Sequence, residues 1–278
     1  MSKAMADFMR SSVHCHSTLC DGKNTLQEMA SAACAQGLTT LGFTGHSYTP
    51  CDREYCMSPR RTAQYKATIA KLKAEYKGKV DILCGIEWDQ FSEDKRVGYD
   101  YWIGSVHYLH GSVSGKYYEI DFRKQDLQTC IDTDFGGDGL AAVEAYYASV
   151  AQVAALRPDI LGHLDLIKKL NRDGAFFDES SPRYHAAAMG ALEAARDAGC
   201  LLEVNTGAVF RGYRDDFYPS DWLLQEWRRM DGKVIITADA HSVDCLTFGY
   251  EEAARQIKAA GFASVQVLTG AGFETQQL

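Results

Sequence analysis

The sequence carries eight histidines, and six of them fall where a run of apolar residues stops. His14 and His16 flank Cys15 after the stretch that begins near Phe8. His46 follows Thr39–Thr44, His107 follows Tyr101–Val106, and His163 follows Asp159–Gly162. His241 comes just past Lys233–Ala238, beside Asp239. Glu87 closes Val80–Ile86 in the same way, and Asp21 lies shortly after His16. In a strand, alternate side chains share a face, so His14 and His16 point together with Cys15 turned away. Imidazoles and carboxylates converging at strand ends suit a borderline divalent ion such as Zn2+, Mn2+ or Fe2+. Any one of these residues alone is more naturally a hydrogen-bonded histidine or a capping carboxylate; their recurrence argues for a shared site. His110 and His185 lie outside the pattern and read as solvated or capping residues. The set is too large for one tetrahedral ion, and Glu87 has two oxygens with which to bridge a pair. That implies a cluster of two or three ions, with a hydroxide between metals as nucleophile.

The elements that must position these residues alternate along the chain. Thr25–Gln36 has Leu26, Met29, Ala30, Ala33 and Cys34 at helical spacing, with Asn24 as expected N-cap and Gly37 as C-cap. Thr62–Tyr76, Leu140–Leu156, Pro182–Ala198, Pro219–Met230 and Phe248–Ala260 read as further helices. Val80–Ile86 is apolar throughout, as in a strand buried on both faces. Cys200–Val204, leading into Asn205, and Ala263–Leu268 complete the strands. The stretch Gly111–Gly139 is polar and Gly-rich, an excursion with local helix around Gln125–Thr129. Unbroken alternation without repeat or linker predicts one α/β domain over residues 1–278. Seven or eight strands fit a distorted (β/α)7 TIM-like barrel, whose strand C-terminal ends meet on one face.

Composition narrows the field. A chain of 278 residues is a usual length for one such barrel, and 46% hydrophobic with 24% charged residues is globular. A net charge of −8 argues against nucleic-acid or anionic-membrane partners, and leaves an acidic small-molecule substrate open, because local cations and metals decide that. No run approaches a transmembrane helix, and the N-terminus lacks a signal-peptide pattern. Nine singly scattered cysteines read as reduced thiols in a cytoplasmic protein. Cys51 and Cys56, with Cys20, have poor spacing for a zinc knuckle. Nothing in the sequence sets the oligomeric state.

The stretches HCHSTLCDG, FTGHS, GIEWD, GSVHYLHG, GHLDLIKK, EVNTGAVFRGY with YPS, and TADAHS resemble, in order, the PHP (polymerase and histidinol phosphatase) family. They are most similar to its histidinol-phosphate phosphatase branch. The resemblance implies a distorted (β/α)7 barrel with three metals. His14, His16, Glu87 and Asp239 would hold the first; Glu87, His107 and His163 the second; Asp21, His46 and His241 the third. Many relatives have histidine at the Asp21 position, and an oxygen ligand there would favour Mn2+ or Fe2+. The implied activity is hydrolysis of L-histidinol phosphate to L-histidinol and phosphate, a late step of histidine biosynthesis. Arg211 is the foremost phosphate clamp, because a guanidinium fork matches phosphate oxygens. Arg214, Lys168, Lys169 and Arg172 rank second, each more naturally a solvated surface cation, and Asn205 would orient substrate or a ligand. A metal-bound water, Asp165 or His241 would protonate the leaving alcohol. Residues from Glu119 to Asp138, where the family fit is poor, would shape the substrate.

Three rival readings remain. Another family phosphoesterase would act on a different small ester such as a nucleotide. An amidohydrolase-type barrel would usually want a bridging lysine where this chain has Glu87. A non-catalytic metal-binding barrel sits badly with a complete ligand set. Exonuclease work on long DNA lacks a basic, aromatic-interleaved tract.

Overall fold

The computed structural model describes residues 7–52 and 54–278. Its main sheet is a curled set of nine strands ordered β1-β2-β3-β4-β7-β8-β9-β10-β11, parallel except for the last pair. The strands are β1 (Ser11–Ser12), β2 (Thr40–Phe43), β3 (Asp81–Asp89), β4 (Tyr101–Ser105), β7 (Ile160–Leu161), β8 (Leu201–Asn205), β9 (Lys233–Thr237), β10 (Ser264–Thr269) and β11 (Gly272–Gln277). A separate hairpin of β5 (Tyr108–His110) and β6 (Tyr117–Glu119) follows β4.

The sheet edges meet in two ways. Just past β1, a parallel bridge joins Cys15 to Ala240: His16 N donates to Ala240 O at 2.8 Å and Ala240 N donates to His14 O at 2.8 Å. Lower down, β10 stands between the two edges, paired to β9 at Gln266–Ile235 and tied to β1 by Ser11 Oγ donating to Leu268 O at 2.7 Å. The ring therefore counts seven strands at its carboxyl end and an eighth at its base, which is why the sequence reads as seven or eight.

Helices α1 (Leu26–Ala35), α2 (Pro59–Glu75), α4 (Gly139–Ala155), α5 (Pro182–Ala198), α7 (Asp221–Arg229) and α8 (Tyr250–Ala259) cover the outside; α3 (Lys124–Asp134) and the short α6 (Gly207–Phe210) complete the set. The cap of α1 is Thr25 rather than Asn24. Thr25 accepts from Glu28 N while Glu28 accepts from Thr25 N, a reciprocal capping box. Asn24 instead accepts from Val243 N at 3.1 Å. Helix α2 starts ahead of Thr62 because Ser58 caps it and Pro59 fits its first turn. In the Gly111–Gly139 excursion, Asp134 accepts from Val113 N, Ser114 N and Ser114 Oγ, which pins the hairpin turn to the end of α3. No helix among the described residues is long and apolar enough to cross a membrane.

Inside the ring, strand alternation sorts side chains into layers. Val13, Tyr101, Ile103, Ile160, Leu201, Ile235 and Leu268 form a small apolar cluster of their own at the base. Two residues along β8 from Leu201 comes Glu203, and then Asn205; along β9, Ile235 is followed by Thr237 and Asp239. The same face thus runs from apolar plug to polar floor.

Tyr101 locks the plug. Its hydroxyl donates to Val13 O at 2.6 Å, and its ring lies over Gly42 and Gly85. A Cβ on Gly85 would sit 2.6 Å from the Tyr101 ring and 2.9 Å from Phe43 O. Gly85→Ala should therefore destabilise the fold by about 1–3 kcal/mol through overpacking. Thermal unfolding would show this as a melting temperature lowered by several degrees; an unchanged melting curve would contradict the packing described.

Candidate metal centre

The expected ligands converge on one cavity at the carboxyl ends of the strands. Glu87, 1% exposed, is the hub. Its Oε2 lies 3.3 Å from His14 Nε2, 3.5 Å from His16 Nε2 and 3.1 Å from His46 Nδ1. Its Oε1 lies 3.0 Å from His163 Nε2 and 3.5 Å from His107 Nε2. Asp239 Oδ1 is 3.2 Å from His16 Nε2 and 3.6 Å from His14 Nε2. Asp21 Oδ1 is 3.4 Å from His16 Nδ1 and 3.6 Å from His46 Nε2, and its Oδ2 is 2.9 Å from His241 Nε2.

Three overlapping groups have donor atoms within 4.8 Å of one another: His14, His16 and Asp239; His46, Glu87 and His107; and His16, Asp21, His46 and His241. The partition differs from the implied one, since His16 and His46 each belong to two groups and His163 faces only Glu87. The donor set fits divalent cations. His14 Nε2, His16 Nε2, Asp21 Oδ1 and Glu87 Oε2 are buried with no hydrogen-bond partner among the described residues. Unpaired buried polar atoms are costly, and a cation satisfies lone pairs that no donor reaches.

Charge is strongly coupled here. Burial alone would lower the His14 pKa, but Glu203, Glu87 and Asp239 overcome it and raise it to about 10. Burial opposes ionisation of Glu87, yet His14, His46 and His107 hold its carboxyl well below the usual range. Asp239 is likewise held down against its burial by Arg211, His14 and His241. The carboxylates thus stay ionised, and a bound cation takes the place of the imidazole protons.

Glu203 orients the deepest ligand. Its Oε1 lies 2.6 Å from His14 Nδ1 and accepts from Thr237 Oγ1 at 2.7 Å; its Oε2 accepts from His163 N at 2.7 Å and Asn205 Nδ2 at 3.1 Å. With the Nδ1 proton of His14 directed at Glu203, Nε2 is left to face Glu87 and Asp239. Asp89 plays the same part for His107, with Oδ2 3.3 Å from its Nδ1 and accepting from its backbone N at 2.9 Å.

A PHP domain model matches residues 12–207. The chain belongs to the PHP domain family. A histidinol-phosphatase of Bacillus subtilis is 26% identical over 262 residues, covering 86% of this chain and 96% of that protein. A protein of Deinococcus radiodurans named probable histidinol-phosphatase is 30% identical over 266 residues, covering 91% of this chain and 94% of its own. Among solved structures, the histidinol phosphate phosphatase of Lactococcus lactis, complexed with Zn, L-histidinol and phosphate, superposes with a TM-score of 0.69. Its identity is 22%, and coverage is 96% of this chain and 99% of that one, a likeness of fold.

The cations expected to hold phosphate separate within this PHP barrel. Arg211 and Lys169 line the cavity with His46, Glu87, His107 and His241. Arg211 donates to Asp239 O at 3.0 Å and Asp239 Oδ2 at 2.9 Å, leaving further N–H donors of its guanidinium for a ligand. Gly207 makes room for it: a Cβ there would lie 3.0 Å from the guanidinium. Lys169 donates to Asp121 at 2.8 Å. The others lie outside the cavity wall. Lys168 is no solvated cation; it is fully buried, paired with Asp165 at 2.9 Å, Asp216 at 2.7 Å and Ser220 Oγ at 2.6 Å. Asp165, expected as an acid, is committed to that lysine and to Ser220. Arg214 pairs with Asp216 and Glu179, and Arg172 is exposed beside Asp215. Asn205 is buried, donating to Glu203 and accepting from Gly207 N at 2.9 Å.

His110 packs at a tilt against Tyr117 and His185 stacks on Trp222, away from the cluster. All nine cysteines are free; Cys56 contacts Asp52, and Cys20 lies against His16. Glu203 and Asp89 were not singled out from sequence. The signal for Glu203 was a lone charge in an apolar strand, on the same face as Asn205. Glu203→Gln should weaken Zn2+ binding about 10–100-fold, because His14 loses its oriented donor–acceptor pair. Competition with a chromogenic chelator on folded protein measures this, and wild-type affinity would refute the orienting role.

Proposed function

We propose that this protein is a metal-dependent phosphomonoesterase that converts L-histidinol phosphate and water into L-histidinol and inorganic phosphate. The observation that carries the reading is that Arg211 and the carboxylate–imidazole cluster open onto one cavity. The names of the relatives, and the L-histidinol and phosphate in the Lactococcus lactis complex, support the same substrate. A late step of histidine biosynthesis and a cytoplasmic setting, in keeping with nine free cysteines, belong to this proposal.

We assign His14, His16, Asp21, His46, Glu87, His107, His163, Asp239 and His241 as the ligands of two or three divalent ions, Zn, Mn or Fe. When bound, such ions neutralise phosphate charge and activate water. The chain's own residues do the rest. Glu87 and Asp239, held ionised, give the site its affinity for cations. Arg211, fixed by Asp239 beside His241, presents its free donors to phosphate oxygens and stabilises the charge that builds as phosphorus is attacked. The bond from phosphorus to the alkyl oxygen breaks, and that oxygen leaves as the alcohol after taking a proton. Lys169 extends the positive side of the wall next to His163.

Phosphate release from L-histidinol phosphate should be fast in protein supplied with Mn2+, Zn2+ or Fe2+, and should cease on chelation. Glu87→Gln or His14→Ala should remove turnover in folded, metal-supplemented protein; full activity in either would sink the site. Arg211→Ala should lower kcat/KM about 100-fold, the scale of one lost transition-state donor. Arg211→Lys should recover little of it, because the fork geometry is lost.

A further inference from the structure

The cavity has a second wall that the phosphate chemistry does not use. It is built by the β5–β6 hairpin, which begins directly after His107, together with the loop around Asp52. Glu119 sits opposite Tyr108 in the hairpin, and Ile120 N donates to His107 O at 3.0 Å, so Glu119 is held close to the ligand cluster. Tyr55 and Phe122 complete the wall, ring centroids 5.1 Å apart and edge to face.

Four carboxylates face the cavity along this side, and three are already satisfied. Asp52 accepts from Glu54 N, Tyr55 N, Cys56 Sγ and Tyr108 OH. Asp89 accepts from Phe91 N and His107 N, and Asp121 pairs with Lys169. Glu119 differs: among the described residues no donor reaches its carboxylate. Its burial, with Asp121 and Asp52 nearby, pushes its pKa up to about 7. A carboxylate crowded by others, with only His107 opposing them and no donor on its oxygens, gains most from a cation that arrives with the ligand.

We propose that Glu119 binds the ammonium group of the substrate and selects phosphomonoesters that carry a cation close to the phosphate. This rests on the phosphatase reading above. L-Histidinol phosphate has its ammonium on the carbon next to the esterified one, and a flat imidazole that can lie against Tyr55 and Phe122. An ester with further negative charge, such as a nucleotide diphosphate, meets the acidic wall and is rejected by like-charge repulsion.

The test compares kcat/KM for L-histidinol phosphate with that for phenyl phosphate, in wild type and Glu119→Gln, each loaded with the same metal. The ratio should fall about 10–100-fold in the variant, the range of one charge-assisted hydrogen bond. Glu119→Lys gives a second readout: the preference should move towards phosphoglycolate, whose carboxylate replaces the ammonium. Unchanged ratios in both variants, with the wild type active on L-histidinol phosphate, would overturn the role of Glu119 and leave the phosphatase reading standing. A wild type that releases phosphate from none of the esters would overturn the phosphatase reading, and this one with it.

Discussion

The centre depends on a pair of backbone hydrogen bonds, those that tie His14 and His16 to Ala240. They join the first strand of the ring to the last one that reaches the top, and so bring HxH from the start of the chain beside DxH from near its end. Without that closure the curled sheet would be an open half-ring, with His16 and Asp239 on opposite edges. Closure also explains the wedge at the base. Strand β10 fills the gap that seven tilted strands leave below, and Leu268 completes the apolar plug. The plug and the bridge work together, one excluding water from beneath and the other drawing the ligands together above.

A closed ring forces an electrostatic problem. Glu87 and Glu203 are almost wholly buried and Asp239 nearly so, and desolvation opposes their charge. Glu203 is stabilised by four donors, two within strands β8 and β9 and two just past the ends of β1 and β7, an arrangement that can keep a carboxylate ionised in the interior. Glu87 has no such set; its neighbours are imidazoles whose Nε2 or Nδ1 atoms can either carry protons or bind metal. The two glutamates therefore divide the work. One is a permanent anion that orients His14, and the other is a negative centre whose charge must be met by cations.

Much of this was legible in sequence, and what was not has a common cause. Strand ends, helix periodicity and the ligand residues are local signals, because a strand ends where apolar alternation stops. Partnership across the barrel leaves no such mark. Lys168 reads as a surface cation because nothing near it in sequence shows that Asp216 and Ser220, on a distant loop, will close over it. Asp165 reads as a candidate acid for the same reason. Asn24 precedes Thr25, and both are good caps; the Glu28 that completes the reciprocal box decides between them. The hairpin after His107 escaped because its strands are three residues each and its turn is held by Asp134, a side chain from the far end of α3.

The buried Lys168 cluster links these themes. Lys168 and Asp165 follow His163 along the chain, and they grip Asp216, Phe217 O and Ser220 in the loop that leaves α6. Arg211 lies at the start of that same loop, and Tyr218 pairs back to Asn205 on β8. A lysine removed from water and met by two carboxylates is costly to disturb, since breaking one partner strands a buried charge. The loop is therefore anchored by groups that do not line the cavity, and the anchor adds no cation there that would compete with metal. The positive charge the site presents to a ligand comes from Arg211 and Lys169 alone among the expected clamps, because buried Lys168 is spent on architecture and Arg214 and Arg172 pair with carboxylates outside the cavity wall.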